Sequence, residues 1–123
     1  MSFDFTNDTP IYLQIIDDIK IKIISKEYSP SDKIPSVREL SMMYQVNPNT
    51  IQKALSELED IGLIITERTN GKFVTSNTKI IEQITEQTID EMVDKFIDSM
   101  KSIGIDKKQI ISILKSKEIK WKY

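Results

Sequence analysis

Asn47, Pro48, Asn49, Thr50, Gln52 and Lys53 lie within a run of seven residues broken only by Ile51. Asn and Gln can each bond two atoms of an adenine edge at once, Thr reaches a phosphate or a thymine methyl, and Lys supplies charge. Arg38, Arg68 and Lys72 lie within about twenty residues on either side and add cations suited to phosphate. Catalytic chemistry is poorly supplied by comparison. The 123 residues include no Cys and no His, which removes thiolate nucleophiles, zinc–sulfur sites, the commonest general base and the commonest transition-metal ligand. Glu82, Glu86, Asp90, Asp94 and Asp98 recur every four residues. That spacing reads as the solvated face of a helix, since cages of oxygen ligands draw on a folded-back loop or several elements. No enzyme activity, metal or cofactor is therefore expected.

Charge argues at first against a nucleic-acid partner. The chain carries 17 basic and 19 acidic side chains, a net of −2, and acidic residues also outnumber basic ones over residues 1–76. Their distribution matters more than their sum. Asp4, Asp8, Asp17, Asp18 and Glu27 fall in the N-terminal segment, and Glu57, Glu59 and Asp60 fall at the far end of the same predicted helix, beyond the polar run. Lys33, Arg38, Lys53, Arg68 and Lys72 are left on the side of the helix N-termini, whose free N–H groups and dipoles favour phosphate.

The elements that must hold the polar run are legible from caps and periodicity. Thr9 before Pro10 predicts a helix start, and Ile11, Ile15, Ile16, Ile19, Ile23 and Ile24 give an apolar face to about Glu27. Ser36 with Glu39 three residues on is a capping box, opening a short helix to about Tyr44. Asn47 and Pro48 open the next helix by the cap-then-proline logic. Ile51, Ala54, Leu55, Leu58 and Ile61 form its buried stripe, and Gly62 stops it. Leu63 to Glu67 and Lys72 to Thr75 read as a hairpin, with Asn70 and Gly71 supplying positive backbone angles.

From Asn77 the helical pattern returns, with Ile81, Ile84, Ile89, Met92, Val93, Phe96, Met100 and Ile103 along one stripe and Gly104 as a stop. Asp106 caps a last helix holding Ile110, Ile113 and Leu114. The tail KSKEIKWKY is basic and expected to fray. A boundary near Ser76 thus divides residues 1–76 from residues 77–123. The long stripe is too apolar for a lone surface helix, so Ile81, Ile84, Ile89, Met92, Val93, Phe96 and Met100 are expected to form a homodimer interface. No apolar run reaches the roughly 18 residues of a membrane helix, and MSFDFTNDTP lacks the pattern of a secretory signal. A cytoplasmic location without membrane attachment is expected.

A long helix, two helices joined by a tight break and a two-stranded wing follow the order of a winged helix-turn-helix. The expected fold class is α+β, a winged helix-turn-helix domain followed by a small two-helix dimerisation region. The stretch PSVRELSMMYQVNPNTIQKALSELEDIGLI followed by ERTNGKFV resembles the GntR family of bacterial transcription regulators over about residues 9 to 76. The short C-terminal region resembles the YtrA-type branch, in which two helices for dimerisation replace a large effector domain.

The resemblance implies that Arg38 contacts DNA backbone or a base, and that Asn47, Asn49 and Thr50 open the recognition helix. It implies that Gln52 and Lys53 face DNA one turn later and that Gly71 lets the wing backbone approach the minor groove. The chain departs from the family where Thr69 replaces the first glycine of the wing, and where Pro48 and Gln52 stand in place of frequent arginines. The second departure implies a different operator. The expected partner is double-stranded DNA, read as a palindrome by a homodimeric repressor of an operon that encodes a transporter. No effector is identified by the sequence. The alternative is a winged helix that binds protein or RNA without operator specificity.

Overall fold

The computed structural model describes residues 3–117, and residues 118–123 of the tail expected to fray lie outside them. The elements run in the order α1 (Ile11–Ile24), α2 (Val37–Tyr44), α3 (Pro48–Asp60), β1 (Ile64–Glu67), β2 (Gly71–Val74), α4 (Thr78–Ser102) and α5 (Lys107–Ser116). Strands β1 and β2 pair antiparallel, with Ile64 opposite Val74 and Thr66 opposite Lys72. The order is that of a winged helix-turn-helix followed by a helical pair.

Cap chemistry sets most helix ends. The Ser36 hydroxyl accepts from the Glu39 N–H at 3.1 Å while the Glu39 carboxylate accepts from the Ser36 N–H at 3.0 Å. Those two bonds hold the Glu39 carboxyl below its ordinary range, the backbone donor contributing most. Asn47 caps α3, with Pro48 at its first position, and Asp106 with Gln109 closes a second capping box at α5. The start of α1 differs from expectation. Pro10 itself is the N-cap and no side chain caps the helix. The Gln14 amide instead ties the approach segment down, donating to the carbonyls of Thr6 and Thr9 and accepting from the Thr6 N–H, each at 2.9 Å. The helix also ends at Ile24 rather than near Glu27, where Lys26 takes a positive φ of 67°.

Two compact units divide the chain at Thr85 and Glu86. In the first, Ile15, Ile19 and Ile23 of α1 meet Leu40 of α2, and Ile51, Leu55 and Leu58 of α3, in one core closed by Leu63, Ile64 and Val74. Each fully buried Leu or Ile contributes about 1.5–3 kcal/mol relative to an exposed one. Ile61 sits outside this core at the end of α3 and is exposed. Tyr44 is buried, and its hydroxyl donates to Asp18 at 2.5 Å. Burial, followed by that bond and the Asp18 charge, pushes the phenol pKa far up. Asp18 also pairs with Lys22 at 3.3 Å, so this acid serves the packing of α1 on α2.

The division falls nine residues beyond Ser76 because the first turns of α4 belong to the first core. Ile84 is 7% exposed within that cluster, and Ile80 and Ile81 pack against it. Ile81 and Ile84, expected at a dimer interface, are thus engaged inside the subunit: a helix leaving a small domain is held by its nearest apolar turns.

In the second unit, Ile110 of α5 is buried, and α4 and α5 together line a groove of about 990 Å³. Met92, Val93, Phe96, Ile110, Ile111 and Leu114 line it. Ile111, rather than the expected Ile113, shares the groove with Ile110 and Leu114. Gly104 ends the turn between the helices at φ +81°. Among the described residues, no helix is long and apolar enough to cross a membrane.

Candidate nucleic-acid interface

Helix α3 presents two unlike faces. Ile51, Ala54, Leu55 and Leu58 are buried, which leaves Asn47, Pro48, Asn49, Gln52 and Lys53 exposed at its first turns and Thr50 half-buried. The break before α3 is built by Gln45 in the left-handed region at φ 57°, with the Val46 N–H donating to the Ser41 carbonyl at 3.1 Å. The Ser41 hydroxyl donates to the Val46 carbonyl at 2.5 Å. These bonds fix the angle at which the polar turn leaves the domain.

Local contacts distinguish the candidate residues. The side-chain oxygen of Asn47 accepts from the Asn49 N–H at 2.8 Å, so this residue caps the helix. Lys53 holds its ammonium 3.9 Å from the centre of the Tyr12 ring, a cation–π contact that draws it toward α1. Arg38, one residue into α2, and Arg68, in the wing turn, are exposed and form no ion pair among the described residues.

The wing turn differs from expectation at Asn70. Asn70 does not take a positive backbone angle; its N–H closes the turn on the Glu67 carbonyl at 3.2 Å, and Gly71 alone turns the chain at φ +106°. A Cβ on Gly71 would lie 3.0 Å from Cε of Lys33, so the Lys33 stem lies close against this glycine. Lys72 donates to Glu59 at 2.5 Å and to the Thr66 hydroxyl at 2.8 Å. Burial works to raise the Glu59 pKa, but the bonds from Lys72 and Thr66, with the Lys72 charge, hold it below the ordinary value.

Lys33 belongs to a feature that the sequence conceals between Pro30 and Pro35. The Ser31 N–H donates to the Val74 carbonyl, the Val74 N–H to Asp32 and the Ile34 N–H to Lys72, at 2.8 to 3.0 Å. The segment runs along β2 as a third, irregular edge, with Lys33 bridged to Phe73. Ile34 is buried beneath it, and that lone apolar residue between prolines is the signal that could have revealed it.

With this geometry in place, comparison with known proteins decides the family. Residues 11–74 match the model of bacterial regulatory proteins of the gntR family. The chain belongs to the GntR family. It is 37% identical over 116 residues to the HTH-type transcriptional regulator YhcF of Bacillus subtilis, covering 94% of this chain and 96% of that one. It is 43% identical over 79 residues to the HTH-type transcriptional repressor YtrA of the same organism, covering 64% of this chain and 61% of YtrA. A GntR family transcriptional regulator from Listeria monocytogenes superposes with a TM-score of 0.84 at 39% identity, covering 93% of this chain and 100% of that one. The DNA-binding domain of AraR, solved in complex with operator ORE1, superposes with a TM-score of 0.55 at 29% identity over 61% of this chain and 98% of that domain. The GntR chain described here is thus a DNA-binding transcription regulator with YtrA-type relatives.

Proposed function

We propose that this GntR regulator is a homodimeric repressor that reads a palindromic operator with the first turns of α3. The observation that carries the reading is the exposed polar turn of α3 set opposite a buried stripe. Asn49 and Gln52 are assigned to base edges because the Asn47 oxygen already caps the helix. Arg38, Thr50, Lys53 and Arg68 are assigned to phosphate or to thymine methyls. Dimerisation is assigned to Ile89, Met92, Val93, Phe96 and Met100, whose helix carries a wide apolar groove with α5. The name of YtrA as a repressor supports repression here, and the resemblance to its branch favours an operon that encodes a transporter.

Selection of duplexes from a random pool by the purified chain tests the reading. A palindrome with half-sites roughly 34 Å apart is expected from two-fold symmetry. Recovery of no palindrome overturns it and favours a winged helix that binds protein or RNA.

A further inference from the structure

One lysine on the wing, Lys72, and one on the edge segment beside it, Lys33, have opposite surroundings in the structure. We propose that Lys33, laid across Gly71, is a cation beside the wing for the DNA backbone, and that Lys72 is a positioning residue bracing the wing on the recognition helix through Glu59. The assignment rests on the DNA reading above and reverses the part that Lys72 takes in the sequence pattern.

Lys72 and Thr66 are register partners in the hairpin, and side chains of directly opposed residues share one face. Glu59 sits in the last turn of α3 and meets both. One carboxylate oxygen accepts from Lys72 at 2.5 Å, the other from the Thr66 hydroxyl at 2.8 Å, and Lys72 closes the triangle on Thr66 at 2.8 Å. The Lys72 and Glu59 side chains are only 22% and 32% exposed, so the pair is screened less than a free surface pair. Each donor of the triangle meets a charged or polar oxygen, and charge-assisted bonds of this kind are directional. The result ties the middle of both wing strands to the far end of the recognition helix. It fixes the angle between the two elements that must meet DNA together. A lysine so held has its charge balanced by the carboxylate and has little left to offer a phosphate.

Lys33 is in the converse position. It comes from the edge segment bridged to Phe73, is exposed, and forms no ion pair among the described residues. Glu39, whose carboxyl feels the Lys33 charge as the smallest of its influences, is engaged by the Ser36 cap. The Lys33 stem occupies the space that a Cβ at residue 71 would take, with Cε 3.0 Å and Nζ 3.7 Å from that point. The missing side chain of Gly71 therefore has a second consequence besides the turn. It lets a lysine from another segment lie along the start of β2 and present its ammonium beside the wing turn.

Counterion release separates the two roles, since each phosphate neutralised by a lysine contributes about 0.9 to the slope of log affinity against log salt. The probe is a duplex recovered by the wild-type chain from a random pool, and affinities are scaled to the binding-competent fraction measured by stoichiometric titration. Lys33→Gln is expected to lower affinity about three- to tenfold and the slope by about 0.9, while Lys33→Arg keeps the slope. Lys72→Gln and Glu59→Gln are each expected to weaken binding about threefold with the slope unchanged, and the exchange of Glu59→Lys with Lys72→Glu to restore most of the loss. A Lys72→Gln slope reduced by about 0.9 overturns the assignment, as does an unchanged Lys33→Gln slope. Tighter binding by Glu59→Gln, or an exchange variant no better than the single ones, also overturns the brace. A wild-type chain that recovers no duplex instead removes the DNA reading, and the assignment with it.

Discussion

The two units treat large apolar side chains in opposite ways. In the winged helix, Ile51 and Leu58 are 0% exposed, and α1, α2, α3, the wing and the first turns of α4 close one core. In the helical pair, Met92 is 60%, Phe96 42% and Leu114 49% exposed, although the same periodic apolar pattern runs through both. Two helices have one shared seam, and a stripe as wide as that of α4 cannot be covered by a single ten-residue neighbour. A domain that closes its own core can hold a rigid reading helix, whereas one that leaves a stripe open is suited to meet a second copy.

The largest expected effect breaks the closed side of the comparison. Leu58→Ala empties a site with no exposure and should cost about 3 kcal/mol or more of stability, read as a lowered denaturant midpoint with the groove of the second unit unaffected. Next comes the open side. Phe96→Asp places a charge on the groove wall and should convert dimers to monomers by sedimentation, with operator affinity lower by about a hundredfold, or roughly 2.7 kcal/mol. A variant that stays dimeric would mean that the open stripe serves something else.

Smaller effects sharpen the account of the reading side. Ser36→Ala removes the acceptor for the Glu39 N–H and should cost about 1 kcal/mol in thermal or denaturant unfolding. Arg38→Ala should leave unfolding nearly unchanged while lowering the salt slope of operator binding by about 0.9 if it meets one phosphate. The mildest test is pH. The Glu59 pKa is lowered in the folded chain, so its contribution is fully present above the ordinary value of 4.5 and is lost as pH falls through the lower folded value. Acid unfolding of Glu59→Gln should therefore be less steep in that window than that of the wild-type chain.

Much of the fold was legible because local chemistry and burial agree there. Ser36 with Glu39, Asn47 with Pro48, and Asp106 act within three or four residues of themselves, and the structure realises each cap. The stripe of α3 was legible for the same reason, since a 3.6-residue period needs no knowledge of the partner. Thr9 misled because capping competes with the approach of the preceding chain, and Gln14 secures that approach instead. The edge segment at Lys33 was hidden because its bonds reach forty residues ahead to Lys72 and Val74, and no local period announces such a pairing.

The sequence by itself determined that this chain has no Cys or His chemistry, that a capped polar turn follows a short helix, and that a wing comes next. Those properties depend on residue types and near neighbours. Tertiary structure alone decided that Ile81 and Ile84 belong to the first core, that Lys72 is paired with Glu59, and that Lys33 crosses Gly71. Each of these joins residues distant in sequence. A net charge of −2 could not distinguish a lysine bound to a carboxylate from one left exposed, because charge counts carry no positions and phosphate recognition depends on them.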